Sequence, residues 1–171
     1  RGLSSMQAVV VRPLNAGNPA EVEELVRRWH GTNVDSYWYN DVQQSHTLEG
    51  ARAFFTSQVM PACAVHVATV AARLAGLIAV EPPWIRHLAV FAEFRRHGVA
   101  STLLAAAREQ SPRVLRLFTF QRNTAARAFY ERHGFVLQKL GVSPAPDSEP
   151  DVQYAWHALD RWACAPALRL N

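Results

Sequence analysis

Two short blocks of this 171-residue chain combine residue types and spacings that can do chemistry. The first is Arg95-Arg96-His97-Gly98-Val99-Ala100, followed by Ser101 and Thr102, where a β-type run gives way to an apolar helical one. A turn there aims successive backbone N–H groups outward at a helix start. Gly98 lets backbone approach a ligand closely, and Ala100 keeps the first turn small. Such a start attracts anions, phosphate above all. The helix dipole adds only about 0.3–1 kcal/mol, so the flanking guanidinium groups matter as well. The loop lacks the Gly-Lys-Ser/Thr ending of a Walker loop and the three spaced glycines of a dinucleotide fingerprint. An ordinary helix cap with solvated arginines fits the same residues. The second block is N-T-A-A-R-A-F-Y-E-R-H-G-F, residues 123–135. Asn123 suits a helix N-cap and Gly134 its left-handed terminator. Tyr130 suits the edge of a cleft with its ring packed, where a phenol of pKa about 10 is a competent proton donor to a leaving thiolate. A core tyrosine with a satisfied hydroxyl is the structural alternative.

Charge supports an anionic ligand near these blocks. The formal net charge is +4, yet residues 95–133 hold eight arginines against Glu109 and Glu131, a local balance of +6 that leaves −2 elsewhere. Nucleic acid and a phosphorylated cofactor both fit such a concentration of positive charge. A 49% hydrophobic and 19% charged composition excludes a disordered chain. Cys63 and Cys164 are far apart and lack metal-ligand spacing, which argues against a disulfide framework or a metal site and for a reducing compartment. No run approaches the roughly 20 apolar residues of a membrane span. The stretch before Met6 lacks a signal-peptide core and reads as a leader, so a cytoplasmic location is expected.

These blocks need elements to hold them. Gln7–Arg12 reads as a β-branched strand. Asn18, Pro19 and the glutamates 21, 23 and 24 open a helix whose Val22, Leu25, Val26 and Trp29 share one face; Gly31 is expected to end it near His30. A polar aromatic stretch follows, then a second helix from Thr47 to Val59, stopped at Pro61. Strands are expected at 64–70 and 74–80 about a turn at Ala71–Arg73, and at Trp84–Val90 after Pro82 and Pro83. Then come a helix over 98–110, a strand over 114–120, a helix over 123–133, and strands over 135–140 and 152–158. The order β-α-α-β-β-β-α-β-α-β-β predicts one α/β domain spanning 1–171, with residues 1–6 as leader: a mixed central sheet with helices on both faces.

The two blocks, in this order and context, resemble the GNAT-type N-acetyltransferase superfamily through R-x-x-G-x-A opening a helix and then N-x-x-A-x-x-F-Y-x-x-x-G-F, with the closest likeness over 75–140. The resemblance implies a GNAT-like mixed sheet and acetyl-CoA as co-substrate, with no metal. It places the pyrophosphate on Arg95, Arg96, His97, Gly98, Val99 and Ala100, with Ser101 and Thr102 nearby. It places the pantetheine arm along Leu88, Ala89 and Val90, where it wedges into a splay before the next strand. Asn123 then faces that arm, and Tyr130 is the acid for the CoA thiolate. The implied reaction is direct attack of a neutral amine on the thioester. The family has no single invariant base. Glu81 and His87, near the central strands, are the candidates, although each also suits a structural or surface role.

The implied acceptor site is framed by the first two helices and the late hairpin. Residues 20–50 carry a balance of −4, and Asp35, Tyr37, Trp38 and Trp84 are candidates to hold a cation against carboxylate and aromatic faces. A solvated acidic helix beside an aromatic core patch fits equally. The expected activity is transfer of an acetyl group to a primary amine, whether a small molecule or a peptide N-terminus. A non-catalytic acyl-CoA-binding or regulatory module is the alternative, and retention of Tyr130 favours the enzyme. A nucleic-acid binder is disfavoured, because the basic stretches lack stacking aromatics. A homodimer is consistent with the family, and no membrane partner is expected.

Overall fold

The computed structural model describes residues 7–159. Residues 1–6, expected above to be a leader, and the tail beyond residue 159 with Cys164 lie outside the described residues. Seven strands form one sheet in the order β1-β2-β3-β4-β5-β7-β6. They are β1 (Val9–Pro13), β2 (Ala64–Val70), β3 (Arg73–Glu81), β4 (Trp84–Val90), β5 (Val114–Phe120), β6 (Val136–Val142) and β7 (Pro150–His157). β1 to β4 are antiparallel neighbours, β4 and β5 are parallel, and β7 runs antiparallel between β5 and β6. This is the mixed α/β sheet expected from the element order.

Strand β3 is the spine. Leu74 to Val80 are buried at every position, so both sheet faces are covered there. Helix α5 (Val99–Gln110) packs one face with Val99, Leu103, Leu104 and Ala107. Helix α1 (Pro19–Ser36) packs the other with Leu25, Val26 and Trp29. Helix α6 (Thr124–Arg132) is capped by Asn123, whose side chain accepts from the Ala126 N–H at 3.1 Å, and Gly134 follows it at φ +82°.

The structure departs from expectation around the first two helices. Gly31 does not end α1, which runs five residues' worth of backbone further to Ser36; a Cβ at Gly31 would meet open space, so nothing there requires glycine. The true end is held by a neighbour: Gln44 Nε2 donates to the Val34 and Tyr37 carbonyls at 2.7 and 3.1 Å, capturing acceptors that a helix end leaves open. Gln44 belongs to a short helix, α2 (Asp41–Ser45), inside the stretch expected to be irregular, and Asn40 caps it through the Gln43 N–H. The second expected helix is α3 (Leu48–Phe54), capped by Thr47. It widens into a π-helical turn over Phe55–Val59 and ends in one α-helical turn, α4 (Met60–Ala62). Pro61 therefore lies inside the helical path. Pro61 has no N–H to offer, and the widened turn before it carries the ladder from Met60 N–H back to the Phe55 carbonyl.

Gly76 is where β3 and β4 come closest. A Cβ there would lie 2.5 Å from the Ala89 carbonyl oxygen and 3.3 Å from Leu103 Cδ1, and the backbone cannot yield without moving β4. Gly76→Val is expected to cost about 1–3 kcal/mol of stability by overpacking, whereas Gly31→Ala is expected to gain up to about 1 kcal/mol through helix propensity. Urea unfolding of both variants checks the pair, and a Gly76→Val midpoint equal to wild type contradicts the close approach.

Candidate active site

Strand β4 meets β5 at one residue pair, Trp84 with Arg116, where the Arg116 N–H donates to the Pro83 carbonyl at 2.8 Å. β5 then pairs with β7 along its whole length, while β4 continues to Val90 with β3 alone. A strand edge left this way carries unpaired backbone donors and acceptors. A cleft of about 600 Å³ opens beside it, walled by Leu88, Ala89 and Val90, the Arg95–Ser101 loop, Asn123 and Tyr130.

The loop's conformation comes from its residue types. Gly98 is the N-cap of α5 at φ +76°, and Arg96 also sits left-handed at φ +63°. His97 Nδ1 lies 2.7 Å from the Arg95 carbonyl, and the Thr102 hydroxyl donates to the Gly98 carbonyl at 2.9 Å, so these two side chains brace the loop and do not line the cleft. Among the described residues, the N–H groups from Arg96 to Ser101 have no acceptor, which leaves a run of open donors at a helix start. Ser101 Oγ lies 3.0 Å from His133 Nε2, and His133 Nδ1 lies 2.8 Å from the Phe129 carbonyl. Because a carbonyl only accepts, Nδ1 carries a proton. Three of the eight arginines in the basic segment, Arg95, Arg96 and Arg132, line the cleft. Others have structural work: Arg108 lies over the Trp156 ring and Arg127 donates to the Tyr154 hydroxyl.

Tyr130 is buried, with its ring edge-on to Phe129 and Phe135 at 5.2 and 5.3 Å. Burial, and secondarily the nearby Tyr37, pushes its phenol well above the ordinary range, so it keeps its proton at every working pH.

On the α1 side of the sheet a second cavity of about 680 Å³ lies between α1, α2, α3 and β4. The β3–β4 register slips between Ala79 and Val80, so Arg86 is an extra residue in β4; Arg86 and His87 both line this cavity, although neighbours in a regular strand face opposite ways. His87 packs edge-on to Trp29 at 5.1 Å and Phe54 at 6.0 Å. Burial first, and Arg86 second, pushes its pKa down to about 4, so it is a neutral imidazole near pH 7. Asn33 and Tyr37 line both cavities, which therefore adjoin each other.

Residues 61–137 match the family model of the acetyltransferase (GNAT) domain. The chain carries a GNAT acetyltransferase domain. Solved GNAT-type structures share its fold. Apo YjaB from Escherichia coli is 19% identical with a TM-score of 0.71, the match covering 87% of this chain and 97% of that one. A GNAT family acetyltransferase from Elizabethkingia anophelis with acetyl-CoA bound is 13% identical with a TM-score of 0.61, covering 88% and 98%. An aminoglycoside 6'-N-acetyltransferase complexed with coenzyme A is 14% identical with a TM-score of 0.67, covering 89% and 98%. No curated protein sequence matches the chain significantly. Among the described residues no helix is long and apolar enough to cross a membrane, and no group of three metal-ligating side chains occurs.

Within this GNAT domain the expected site residues divide. Leu88, Ala89, Val90, Arg95, Arg96, Gly98, Val99, Ala100, Ser101, Asn123 and Tyr130 share one cleft with Asp35, Tyr37 and Trp38. Asp35 and Trp38 thus face the basic cleft, and of the expected acceptor residues only Tyr37 reaches the second cavity. Trp84 lines neither cavity, since its ring stacks on Phe118 at 5.2 Å and 3°. Glu81 also lines neither; it pairs with Arg86 at 2.9 Å. Unforeseen lining residues are Arg132 in the first cavity and Phe54, Phe120 and Asp147 in the second. Arg132 lay inside the basic segment, but nothing local marked Asp147, which meets Gln43 across 104 residues of chain.

The His87 shift gives a pH dependence. The unfolded chain takes up this proton near its usual pKa of about 6.5, while the native state resists until about 4. The unfolded state therefore binds more protons between those values, and stability falls as pH drops through that window. His87→Phe, which keeps an aromatic ring against Trp29 and Phe54, is expected to flatten the fall. Urea midpoints at pH 7 and pH 5 for both proteins check it, and equal slopes would refute a neutral buried imidazole.

Proposed function

We propose that the protein is an acetyl-CoA-dependent N-acetyltransferase acting on a primary amine by direct attack. The observation that carries this reading is the pair of adjoining cavities of opposite chemistry that both touch β4 and share Asn33 and Tyr37: one basic and rich in unpaired N–H groups, the other aromatic and lined by a neutral imidazole. The donor run and the Arg95, Arg96 and Arg132 side chains fit a pyrophosphate, and the free edge at Leu88–Val90 fits an arm that carries amide groups.

Acetyl-CoA supplies an activated acyl group: the amine nitrogen forms the new C–N bond as the C–S bond breaks, one proton leaves the nitrogen, and one is taken up by the thiolate. The chain's part is to place and neutralise charge. A backbone N–H on the free edge near Leu88–Val90 is the proposed donor to the thioester carbonyl. His87 is uncharged at working pH and can accept the proton from nitrogen; its burial disfavours keeping it, so it hands the proton on to water in the second cavity. Tyr130 holds a proton beside the first cavity and can give it to sulfur, regaining one from solvent. Asn123 holds the start of α6 while it faces the same cleft.

A binding module without chemistry would need the donor loop and have no use for the Tyr130 phenol. Tyr130→Phe is expected to lower kcat by roughly 10²-fold or more while acetyl-CoA affinity, measured by calorimetry, stays the same. Gly98→Val puts a β-branched residue at φ +76°, and its Cβ meets no neighbour. It is expected to cost about 1–2 kcal/mol in backbone strain, to keep the fold and to weaken acetyl-CoA binding. Stoichiometric acetyl-CoA binding with thiol release in the presence of an amine supports the enzyme. Absence of binding at millimolar acetyl-CoA removes it, and binding with full activity in Tyr130→Phe removes that residue's role.

A further inference from the structure

The walls of the second cavity are selective. Trp29, Phe54, Phe120 and Tyr37 provide aromatic surface, and Asp147 is the one carboxylate on the lining. The one guanidinium, Arg86, is already paired with Glu81 at 2.9 Å and lies 5.5 Å over the Trp84 ring. Asp147 accepts from the neutral Gln43 Nε2 at 2.8 Å, and among the described residues it joins no ion pair. Its charge reaches Tyr37, whose phenol is pushed up first by burial and then by this carboxylate. Tyr37 lines both cavities, so the uncompensated negative charge lies near the residue they share. His87 adds no charge there near pH 7, and His30 Nε2 donates to the His46 carbonyl at 2.7 Å.

Building on the acetyltransferase reading above, we propose that the acceptor is a primary monoamine carried on a flat aromatic body, with its ammonium drawn to Asp147 beside Tyr37 and its ring against Trp29, Phe54 and Phe120. One carboxylate suits one cation. A polycationic aminosugar or polyamine would leave its further charges against aromatic walls without counter-ions. An amino acid acceptor would bring a carboxylate toward Asp147, with Arg86 already engaged. A short alkylamine would satisfy Asp147 and leave the aromatic surface uncovered. The ammonium first releases one proton to solvent, which frees the nitrogen lone pair; the neutral amine then follows the balance given above, gaining the acetyl group as it loses a second proton while sulfur takes one up.

The test compares four amines at saturating acetyl-CoA by thiol release: 2-phenylethylamine, n-butylamine, spermidine and L-phenylalanine. Calorimetry of 2-phenylethylamine into the CoA-saturated protein runs beside it. 2-Phenylethylamine is expected to bind, and to exceed each of the others in kcat/KM by about tenfold or more, the scale of burying one ring. Asp147→Asn keeps an amide oxygen to accept from Gln43 and removes the charge. It is expected to raise KM for 2-phenylethylamine by about tenfold and to leave the Kd of acetyl-CoA unchanged, which a merely unfolded loop would not do so selectively. Phe54→Ala is expected to shrink the advantage of 2-phenylethylamine over n-butylamine. Preference for spermidine or L-phenylalanine, an unchanged KM in Asp147→Asn, or 2-phenylethylamine that neither binds nor reacts each overturns the proposal. A protein that acetylates another amine keeps the acetyltransferase reading and loses only this acceptor class; one that binds no acetyl-CoA loses both.

Discussion

Strands β4 and β5 part after Trp84 and Arg116, and the rest of the molecule is arranged around that divergence. Two parallel strands joined by a crossover helix would ordinarily pair for several residues. Here β7 takes the outer edge of β5 and completes its pairing there, so β5 is satisfied on one side and free on the other. β4 is held from the opposite side by β3, at a separation that only Gly76 permits. The open edge is thus enforced from both flanks by pairing energy spent elsewhere in the sheet. The α5 start and the α6 start both converge on the gap, which brings Gly98 and Asn123 to one cleft although they are far apart in sequence.

Burial acts on the two ionisable groups beside this gap in opposite directions and with the same result. It raises the phenol of Tyr130 and lowers the imidazole of His87, because in both cases the charged form is the one that loses hydration. Both are therefore neutral near pH 7. Ionic groups line both cavities: Arg95, Arg96 and Arg132 with Asp35 in the first, Asp147 with the Glu81-paired Arg86 in the second. A bulge at Arg86 turns two adjacent residues of β4 toward the second cavity, and the guanidinium it brings there is paired with Glu81.

The donor loop stands apart from the packed core. Core backbone groups are paired, whereas the N–H groups from Arg96 to Ser101 are presented unpaired, and Arg96 holds a left-handed conformation that favours glycine. Local braces keep it there: His97 on the Arg95 carbonyl, Thr102 on the Gly98 carbonyl, and Ser101 on His133 of the α6 terminus. A motif of six residues thereby draws on two helices for its shape.

What the sequence determined by itself is what nearest neighbours along the chain decide. The hairpin of β2 and β3, the strand at Val114–Phe120, the cap at Asn123 and the Arg95–Ala100 loop all follow from side-chain alternation, turn residues and capping oxygens within a few positions. Tertiary structure decided the rest, for the reason that its causes lie far off in the chain. Gly31 looked like a stop, yet Gln44 holds the open carbonyls beyond it and α1 continues. Trp84 looked like an acceptor wall, and Phe118 from a parallel strand claims its ring. Glu81 looked like a base, and the bulge that turns β4 sets Arg86 against it. Asp147 had no local mark at all; only the return of the β6–β7 loop onto α2 makes it part of a cavity. A residue's secondary structure is written in its immediate surroundings, but which cavity its side chain lines is set by packing between segments that the local pattern does not couple.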